Sequence, residues 1–229
     1  AYTKGAMGMF AEETCTKYNF SREDQDAFAI TSLQRAQDAI ASGKFDAEIT
    51  PFTVKTRSGE ILCDKDEQPG KGNKEKIPQL RPAFKKDGSV TAANSSSISD
   101  GAAALVLTRL SVAKELDLKP IARVAKYTSN SQEPEWFTTA PVGAIRKLLK
   151  NLNWSKDDVD LYEINEAFAA VTMAVMKEID LPHEKVNIHG GACALGHPIG
   201  ASGARIIVTL LSAMQAYDKQ KGVAAICIG

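Results

Sequence analysis

Residues 159–179 read VDLYEINEAFAAVTMAVMKEI, an apolar segment of strand length that passes directly into one of helix length. Residues 159–164 are predicted to form a buried strand, and residues 166–179, which are apolar nearly all round, are predicted to form a buried helix. Further predicted strands are 103–108, 121–127, 185–189 and 223–228, and further predicted helices are 142–152 and 200–217. Because strands and helices alternate, the sequence predicts an α/β fold whose parallel or mixed sheet is covered by helices.

The N-terminal part of the chain has a different character. Ser21 can cap a helix, Asp24 lies three residues later near the positive end of that helix, and Gly43 suits its exit. Apolar residues between these limits follow helical spacing. Residues 51–81 contain a turn-rich, basic stretch between weak strand signals. We therefore predict an irregular, exposed segment there rather than core.

The composition restricts the class of protein. The chain has 229 residues, 44% of them hydrophobic and 24% charged, which is typical of one large globular domain or two small ones. Lys and Arg total 28, as do Asp and Glu, so the basic surplus of a nucleic-acid-binding protein is absent. No apolar run reaches about 20 residues and no charged-then-apolar leader is present, so we expect no membrane partner and no secretion. Four cysteines without a C-x-x-C pair favour a reducing compartment, the cytoplasm or, in a eukaryote, the mitochondrial matrix.

Three motifs follow predicted strands. NEAF occupies residues 165–168, GGACALGHPIGASG occupies residues 190–203, and CIG occupies residues 227–229. In α/β sheets, ligands bind where strands end and helices begin. The three motifs are therefore candidate parts of one functional site.

Together, and in this order, the motifs resemble the NEAF, GHP and C-x-G motifs of thiolases. VTAANSS at residues 90–96, which leads into DGAA at residues 100–103, supports the resemblance, and the similarity extends back to Met7. The resemblance implies a thiolase-like layered α/β fold. Its predicted parts are a loop domain for CoA binding and oligomerisation (1–97), a strand and helix of the N-terminal thiolase domain (98–118), and a C-terminal domain with a mixed sheet covered by helices (119–229), truncated at its last strand.

The resemblance also implies an activity. Residues 187–203 are more similar to biosynthetic acetoacetyl-CoA thiolases than to long-chain degradative ones, so the expected reaction is reversible Claisen condensation of two acetyl-CoA molecules to acetoacetyl-CoA and CoA, a reaction of fatty acid metabolism. His197 would activate a thiol and donate to a thioester oxygen, working with a water held by Asn165. Cys227 would remove the α-proton, which requires a lowered thiol pKa. The Gly229 amide would contribute to a second oxyanion hole.

Substrate-binding residues follow from the same resemblance. It assigns the contact with the pantetheine arm of CoA to Ser96 and the lining of the channel to Phe84, Met7, Ala167 and Phe168. Phe137 stands where the family has an apolar pocket residue. The basic residues within 71–76 can meet the nucleotide phosphates. CoA enters as a substrate, and the resemblance implies neither a metal nor a redox cofactor. The parent enzyme is expected to be a homo-oligomer, either a dimer or a tetramer.

The chain departs from the family pattern at the nucleophile. Thiolases carry it in a Cys-x-Ser motif of an N-terminal domain, and none of the four cysteines here is followed two residues later by serine. We therefore expect the nucleophile's domain to be missing from these 229 residues, which would supply the acid/base half of the site and be inactive alone. Ala6 stands where biosynthetic thiolases often have a histidine, which affects one polar contact in the substrate pocket.

Other interpretations remain open on the sequence. Asn165 also fits a helix cap, and Cys227 also fits a small buried side chain. His189, Cys193 and His197 have the spacing of zinc ligands on a helix, although the glycines and the proline among them disfavour a helix. A broad-range 3-ketoacyl-CoA thiolase and a non-catalytic CoA-binding or assembly module are alternatives. A ketoacyl synthase shares the architecture, but the CIG ending argues against it. The remaining histidine, His183, is expected to be solvated.

Overall fold

A computed structural model describes residues 5–228, in which a short parallel sheet lies between helical layers. The α-helices are α1 (Met7–Tyr18), α2 (Arg22–Ala41), α3 (Glu67–Lys71), α4 (Leu110–Glu115), α5 (Ala140–Leu152), α6 (Ala169–Ile179), α7 (Ala192–Leu195) and α8 (Ile199–Ala216). The strands are β1 (Phe52–Thr56), β2 (Gly59–Cys63), β3 (Leu161–Ile164) and β4 (Gly222–Ala225). Short 3-10 helices span Lys74–Gln79, Pro134–Thr139 and His183–Lys185.

The core is built around β3 and β4. These strands pair in parallel, with Leu161 opposite Gly222 and Ile164 opposite Ala225. Successive strand side chains point to opposite faces, so Tyr162 and Ile164 pack with α5 and α6 while Leu161 packs with α8. Helices therefore cover both faces of the sheet, which confirms the predicted α/β class.

The helix predicted between residues 21 and 43 is α2, and it begins with a capping box. The Asp24 N–H donates to Ser21 Oγ and the Ser21 N–H donates to Asp24 Oδ2, both at 3.0 Å. Two backbone donors are thereby satisfied reciprocally, which fixes the helix start. Gly43 follows the helix with φ +68°, a conformation that favours glycine. The buried face of α2 packs against α7, which precedes the GHP motif.

Two predicted strands are absent. Residues 103–108 and 121–127 have no regular secondary structure, and Val106 and Val124 are 95% and 71% exposed. A strand is stable only where a neighbouring strand takes up its backbone hydrogen bonds. No strand within residues 5–228 pairs with either segment, so the prediction of strands at these positions is wrong.

The strand predicted at residues 185–189 is reduced to a single bridge between Val186 and Tyr162. Asn187 has φ +48°, which ends the extended conformation. Its side-chain amide continues the pairing instead: Oδ1 accepts from the Ile164 N–H and Nδ2 donates to the Ile164 carbonyl, both at 2.8 Å. A side chain thus replaces a strand beside the end of β3.

The other elements differ from prediction at their ends. α6 begins at Ala169 rather than at residue 166, because the NEAF residues form the junction before it. β4 ends at Ala225 rather than at residue 228. α8 spans Ile199–Ala216, within one residue of its predicted limits.

Residues 51–81 are mostly exposed, as predicted, but they are not irregular. β1 and β2 form an antiparallel hairpin in which Phe52 lies opposite Cys63 and every residue is exposed. Gly59 begins β2 with φ +129°, which lets the chain reverse within two residues. Weak strand signals therefore indicated a real hairpin that contributes little to the core.

α8 is the only helix within residues 5–228 that is long and apolar enough to cross a membrane by length and composition, with a mean hydropathy of 1.3 over 18 residues. A helix that covers a sheet can have the same length and apolar composition. α8 packs on β3 and β4, and its buried hydroxyls on Ser202 and Thr209 bond to His197 and Glu48. We interpret α8 as a covering helix of the sheet.

Candidate active site

The NEAF and CIG motifs meet at the carboxyl edge of the sheet. Asn165 directly follows β3, and its N–H donates to the Ala225 carbonyl at 2.9 Å, which extends the parallel ladder by one bond. Cys227 follows Ala225, the last residue of β4, by two positions. It is buried in an apolar cluster with Ala167 and Phe168. The pairing of the two strands therefore brings these motifs to one edge.

His197 lies in the loop between α7 and α8, and both of its ring nitrogens have a partner. Nε2 is 3.3 Å from Asn165 Nδ2, and Nδ1 is 2.5 Å from Ser202 Oγ. Gly196 precedes it with φ +93°, and a Cβ there would lie 2.2 Å from Ser99 Oγ. The close approach of this loop to residue 99 therefore requires glycine. The imidazole is held between the end of β3 and the first turn of α8.

Residues 95–98 run between the NEAF motif and the GHP loop. The N–H and Oγ of Ser96 both donate to the Ala167 carbonyl at 3.0 Å. The His197 N–H donates to a carbonyl of this segment at 3.1 Å, and single bridges join the segment to Phe168 and to His197. The predicted pantetheine contact, Ser96, is thereby fixed beside both motifs.

The electrostatic environment favours the neutral imidazole of His197. Burial lowers the pKa of His197, and the positive charge of Arg205 lowers it further. A neutral imidazole can accept a proton from a thiol at neutral pH. Beside it, Asn165 Oδ1 is buried and has no hydrogen-bond partner among the described residues. Because a buried acceptor without a donor is destabilising, this oxygen is suited to a water or a polar substrate group.

Cys227 is a thiol rather than a thiolate. Its side chain is buried, and burial raises its pKa to about 11. The role expected from the resemblance required the opposite, a lowered thiol pKa. Desolvation dominates here because only the residue's own backbone hydrogen bond opposes it. Cys227 therefore carries a proton that it can donate.

Glu166 is a site residue that the sequence analysis missed. Its buried carboxylate accepts from Ser32 Oγ at 2.7 Å, from Asn187 Nδ2 at 2.8 Å and from the Cys193 N–H at 3.0 Å. These bonds tie α2 and the start of α7 to the end of β3. Glu166 therefore positions the loop that carries His197. The available signal was an acidic residue in an apolar strand–helix junction, since a buried carboxylate requires partners.

A second group of ionisable side chains lies on and beside α8, and only Glu163 among them is buried. No sequence pattern indicated this group. Burial raises the pKa of Glu163 to about 8, whereas the charge of Arg205 lowers it. Burial also raises the pKa of Glu48, whose Oε1 accepts from Thr209 Oγ1 at 2.9 Å. Arg205 acts electrostatically on both carboxylates and on His197. The protonation of the His197 imidazole is thus linked electrostatically to the charge of Arg205 on α8.

Several residues predicted to line a CoA channel lie at the same edge. The Phe84 and Phe168 rings are in edge-to-face contact, with centroids 6.1 Å apart. Gly8 packs on the Phe84 ring, where a Cβ would be only 2.3 Å away. This contact brings the neighbouring Met7, which is 45% exposed, to that edge as well. The N-terminus of α1 therefore contributes to the surface around the NEAF motif.

Phe137 and Gly229 are the remaining predicted site residues. Phe137 is buried, with its ring in edge-to-face contact with Phe10 at 6.3 Å, in the apolar cluster that also contains Cys227. Its role as a pocket residue stays a prediction. Gly229 lies outside the described residues, so its contribution to an oxyanion hole also stays a prediction.

The side chains weighed as zinc ligands have other surroundings. His189 is buried, packs edge-on against Phe45 at 5.7 Å, and has Nε2 3.4 Å from Tyr217 Oη. In the part of the chain that the structure describes, no three His, Cys, Asp or Glu side chains are placed to hold a metal ion. His183 is not solvated as expected: its ring stacks on Phe28 at 5.1 Å, and burial lowers its pKa to about 4.

Two family models match the chain. The model described as Thiolase, N-terminal domain matches residues 1–111, and the model described as Thiolase, C-terminal domain matches residues 118–229. An acetyl-CoA acetyltransferase of Pseudomonas aeruginosa is 49% identical over all of this chain, which covers 59% of that protein. A probable acetyl-CoA acyltransferase of Staphylococcus aureus is 48% identical over 97% of this chain, which covers 57% of that protein.

Solved structures have the same fold. The acetyl-CoA acetyltransferase of Bacillus anthracis superposes with a TM-score of 0.95 at 46% identity, over 98% of this chain and 57% of that one. Human mitochondrial 3-ketoacyl-CoA thiolase superposes with a TM-score of 0.89 at 36% identity, over 97% of this chain and 57% of that one. The chain thus spans less than two thirds of the length of these relatives.

Proposed function

Because the chain belongs to the thiolase family, we propose that it supplies the acid/base half of an acetyl-CoA acetyltransferase site. The reaction is the condensation of two acetyl-CoA molecules to acetoacetyl-CoA and CoA, together with the reverse thiolysis. The observation that carries the proposal is the 3.3 Å contact between His197 Nε2 and Asn165 Nδ2 at the sheet edge where Cys227 is buried. Similarity to acetyl-CoA acetyltransferases supports acetyl-CoA as the substrate.

The nucleophile belongs to a segment outside these 229 residues. Desolvation of the thiols raises the pKa of both Cys227 and Cys193, and it raises the pKa of Cys15 to about 12. Such thiols are poor nucleophiles at neutral pH. Cys63 lies on the exposed hairpin, away from the motifs. A cysteine from elsewhere in the protein would therefore have to reach His197.

The first step transfers an acetyl group to that cysteine. His197 Nε2 accepts the nucleophile's proton, the sulfur attacks the acetyl-CoA carbonyl carbon, and the bond from that carbon to the CoA sulfur breaks. Cys227 gives its proton to the departing CoA thiolate. After this step His197 is an imidazolium, Cys227 is a thiolate, and free CoA leaves as a thiol.

The second step forms the carbon–carbon bond. The Cys227 thiolate removes a proton from the methyl group of a second acetyl-CoA. The His197 imidazolium and a water that donates one hydrogen to Asn165 Oδ1 stabilise the enolate oxygen. The enolate carbon attacks the acetyl-enzyme, and acetoacetyl-CoA is released as the nucleophile leaves. His197 returns its proton to that sulfur, and Cys227 keeps the proton taken from the methyl group, so each side chain regains its starting protonation state.

Binding of CoA and assembly complete the proposal. Ser96 and the surface formed by Met7, Phe84, Ala167 and Phe168 would bind the pantetheine arm, with CoA as a substrate rather than a resident cofactor. The steps above use protein side chains and water, without a metal or redox group. We further propose a homo-oligomer, dimer or tetramer, in a reducing compartment such as the cytoplasm.

The test is to incubate the full-length protein with acetyl-CoA and map acetylated cysteines by mass spectrometry, in the wild type and in Cys227→Ser and His197→Asn variants. We expect an acetyl thioester on a cysteine outside residues 1–229. The Cys227→Ser variant should still accumulate it but release no acetoacetyl-CoA, and the His197→Asn variant should acetylate slowly. A stoichiometric thioester on Cys227 or Cys193 would show that the division of roles is wrong. Binding of CoA without any acetylation would favour a CoA-binding module, and faster turnover with longer acyl chains would favour a broad-range thiolase.

A further inference from the structure

We propose that Ser202 sets the tautomer of His197, so that Nδ1 carries the proton and Nε2 is the basic nitrogen of the site. Ser202 is a positioning residue in this scheme, because it acts on the imidazole and not on a substrate. The consequence for catalysis rests on the proposed function. The tautomer itself follows from hydrogen bonds on both sides of the ring.

The first side is the serine hydroxyl, which has one hydrogen to donate. Ser202 is fully buried in the first turn of α8, and its Oγ is 3.0 Å from the Pro198 carbonyl. A carbonyl only accepts, and serine hydroxyls within helices commonly donate to the carbonyl four residues earlier. With its hydrogen used there, Oγ can only accept from His197 Nδ1, which lies 2.5 Å away. Nδ1 must therefore carry a proton.

The second side is the amide of Asn165. Its Nδ2 is 3.3 Å from His197 Nε2, and an amide nitrogen only donates, so Nε2 must accept. With the amide rotated, Oδ1 would face Nε2 and Nδ2 would take the place of an oxygen that is buried without a partner among the described residues. The orientation observed places an acceptor, not two further donors, in that position. Both sides of the ring thus give the same tautomer.

The arrangement matters because a neutral imidazole in water exchanges readily between its two tautomers. With Nε2 protonated, the ring would present a hydrogen to the donor amide of Asn165 and could not accept a proton there. Ser202 removes this form by accepting from Nδ1. When Nε2 gains a proton during the reaction, the ring becomes an imidazolium that still donates from Nδ1 to Ser202 Oγ, so the serine contact is kept.

The test is 15N NMR of the full-length protein labelled at histidine, with the His197 signals assigned by their loss in His197→Asn. The probe is the protein alone, without substrate. In the wild type we expect a protonated Nδ1 and an unprotonated Nε2. In Ser202→Ala we expect a mixture of tautomers and a kcat lower by about 10- to 100-fold, a part of the roughly 10²- to 10⁴-fold that general acid–base catalysis contributes. The matched control is Thr172→Val, which removes a fully buried hydroxyl that has no hydrogen-bond partner within residues 5–228. It should change neither the tautomer nor kcat.

The outcomes separate this inference from the proposed function. A wild type that condenses acetyl-CoA but has Nε2 protonated would overturn the role of Ser202 and leave the function standing. A protein with the expected tautomer, shifted in Ser202→Ala, but without thiolase activity would support the inference and reject the function. A Ser202→Ala variant that keeps both the wild-type tautomer and wild-type kcat would overturn it. If that variant does not fold, the wild-type tautomer alone decides.

Discussion

Ser32 Oγ lies 2.7 Å from Glu166 Oε2, although the two residues are 134 positions apart in the chain. The same hydroxyl accepts from the Gly191 N–H at 3.0 Å. Ser32 is on α2, Glu166 follows β3, and Gly191 precedes α7. A helix near the N-terminus is therefore part of the frame that holds the His197 loop against the sheet.

Removal of the Glu166 carboxylate should destabilise this frame. In Glu166→Ala, the donors on Ser32, Asn187 and the Cys193 backbone lose a buried acceptor, so we expect a loss of about 2–4 kcal/mol in the free energy of unfolding. Urea denaturation measures it. Glu60→Ala, on the exposed β2, is the control and should change stability by less than about 0.5 kcal/mol. Equal effects of the two variants would contradict the role assigned to Glu166.

A pair of glycines tests the packing of the same frame. A Cβ at Gly191 would lie 2.4 Å from Glu166 Cδ, whereas a Cβ at Gly203 in α8 would meet nothing within 4 Å. Gly191→Ala should therefore lower the free energy of unfolding by about 1–3 kcal/mol through overpacking. Gly203→Ala should raise it by about 0.5–1 kcal/mol, because alanine favours the helix. Thermal denaturation should show shifts of opposite sign, and shifts of the same sign would contradict the packing described.

The sequence predicted the local elements better than the contacts between them. Ser21 and Asp24 indicated the start of α2, and the helical spacing of its apolar residues indicated its buried face, because both signals lie within a few residues. The motifs also marked the sheet edge correctly. The strands at 103–108 and 121–127 were predicted wrongly because strand formation depends on a neighbour that periodicity cannot reveal.

The sequence pointed to candidate reacting groups, whose roles stay predictions, and it missed the side chains that hold them in place. His197, Asn165 and Cys227 stand in motifs, whereas the roles of Ser202, Glu166 and Asn187 depend on which side chains the fold brings within hydrogen-bond distance. The raised pKa of Cys227 was missed for the same physical reason, since desolvation is a property of the packed core and not of the C-x-G spacing.

Glu163 should give the protein a defined pH dependence. Burial raises its pKa from 4.5 to about 8, with Arg205 opposing the shift and Glu166 and Glu48 adding to it. Because the folded pKa lies above the unfolded one, the folded state binds the extra proton. The resulting stability is fully present below about pH 4.5 and is lost as the pH rises to about 8.

The measurement is urea denaturation of the wild type and of Glu163→Gln, which stays neutral, at about pH 5 and about pH 8. The stability of the variant relative to the wild type should increase with pH. Glu60→Gln, an exposed replacement of the same kind, should show no such trend. A difference between wild type and Glu163→Gln that is constant over this range would contradict the raised pKa.

Cysteine reactivity should separate the exposed hairpin from the buried site. With a pKa of about 11, Cys227 is roughly 0.1% thiolate at about pH 8, and its alkylation rate should rise about tenfold per pH unit up to about 11. Exposed Cys63 should react with iodoacetamide first, and buried Cys15 should be slow like Cys227. Peptide-resolved mass spectrometry measures each rate. Fast alkylation of Cys227 at neutral pH would show that it rests as a thiolate.

Replacement by alanine should affect different properties at two asparagines near the end of β3: activity at Asn165 and stability at Asn187. Asn165 makes one side-chain contact, at 3.3 Å, and leaves Oδ1 unpaired among the described residues. Asn187 makes three bonds of 2.8 Å, two to the Ile164 backbone and one to Glu166. The first side chain is arranged for a ligand, and the second is arranged for the fold.

We therefore expect Asn165→Ala to lower kcat by about 10²- to 10³-fold, as for a lost oxyanion donor or its bridging water, with an unchanged urea midpoint. Asn187→Ala should lose about 2–4 kcal/mol of stability, because it leaves buried backbone groups of Ile164 unpaired. Steady-state kinetics and urea denaturation on both variants check the contrast. If Asn165→Ala were the destabilised variant and kept its kcat, Asn165 would be a structural cap, and the acid/base site would need another partner for His197.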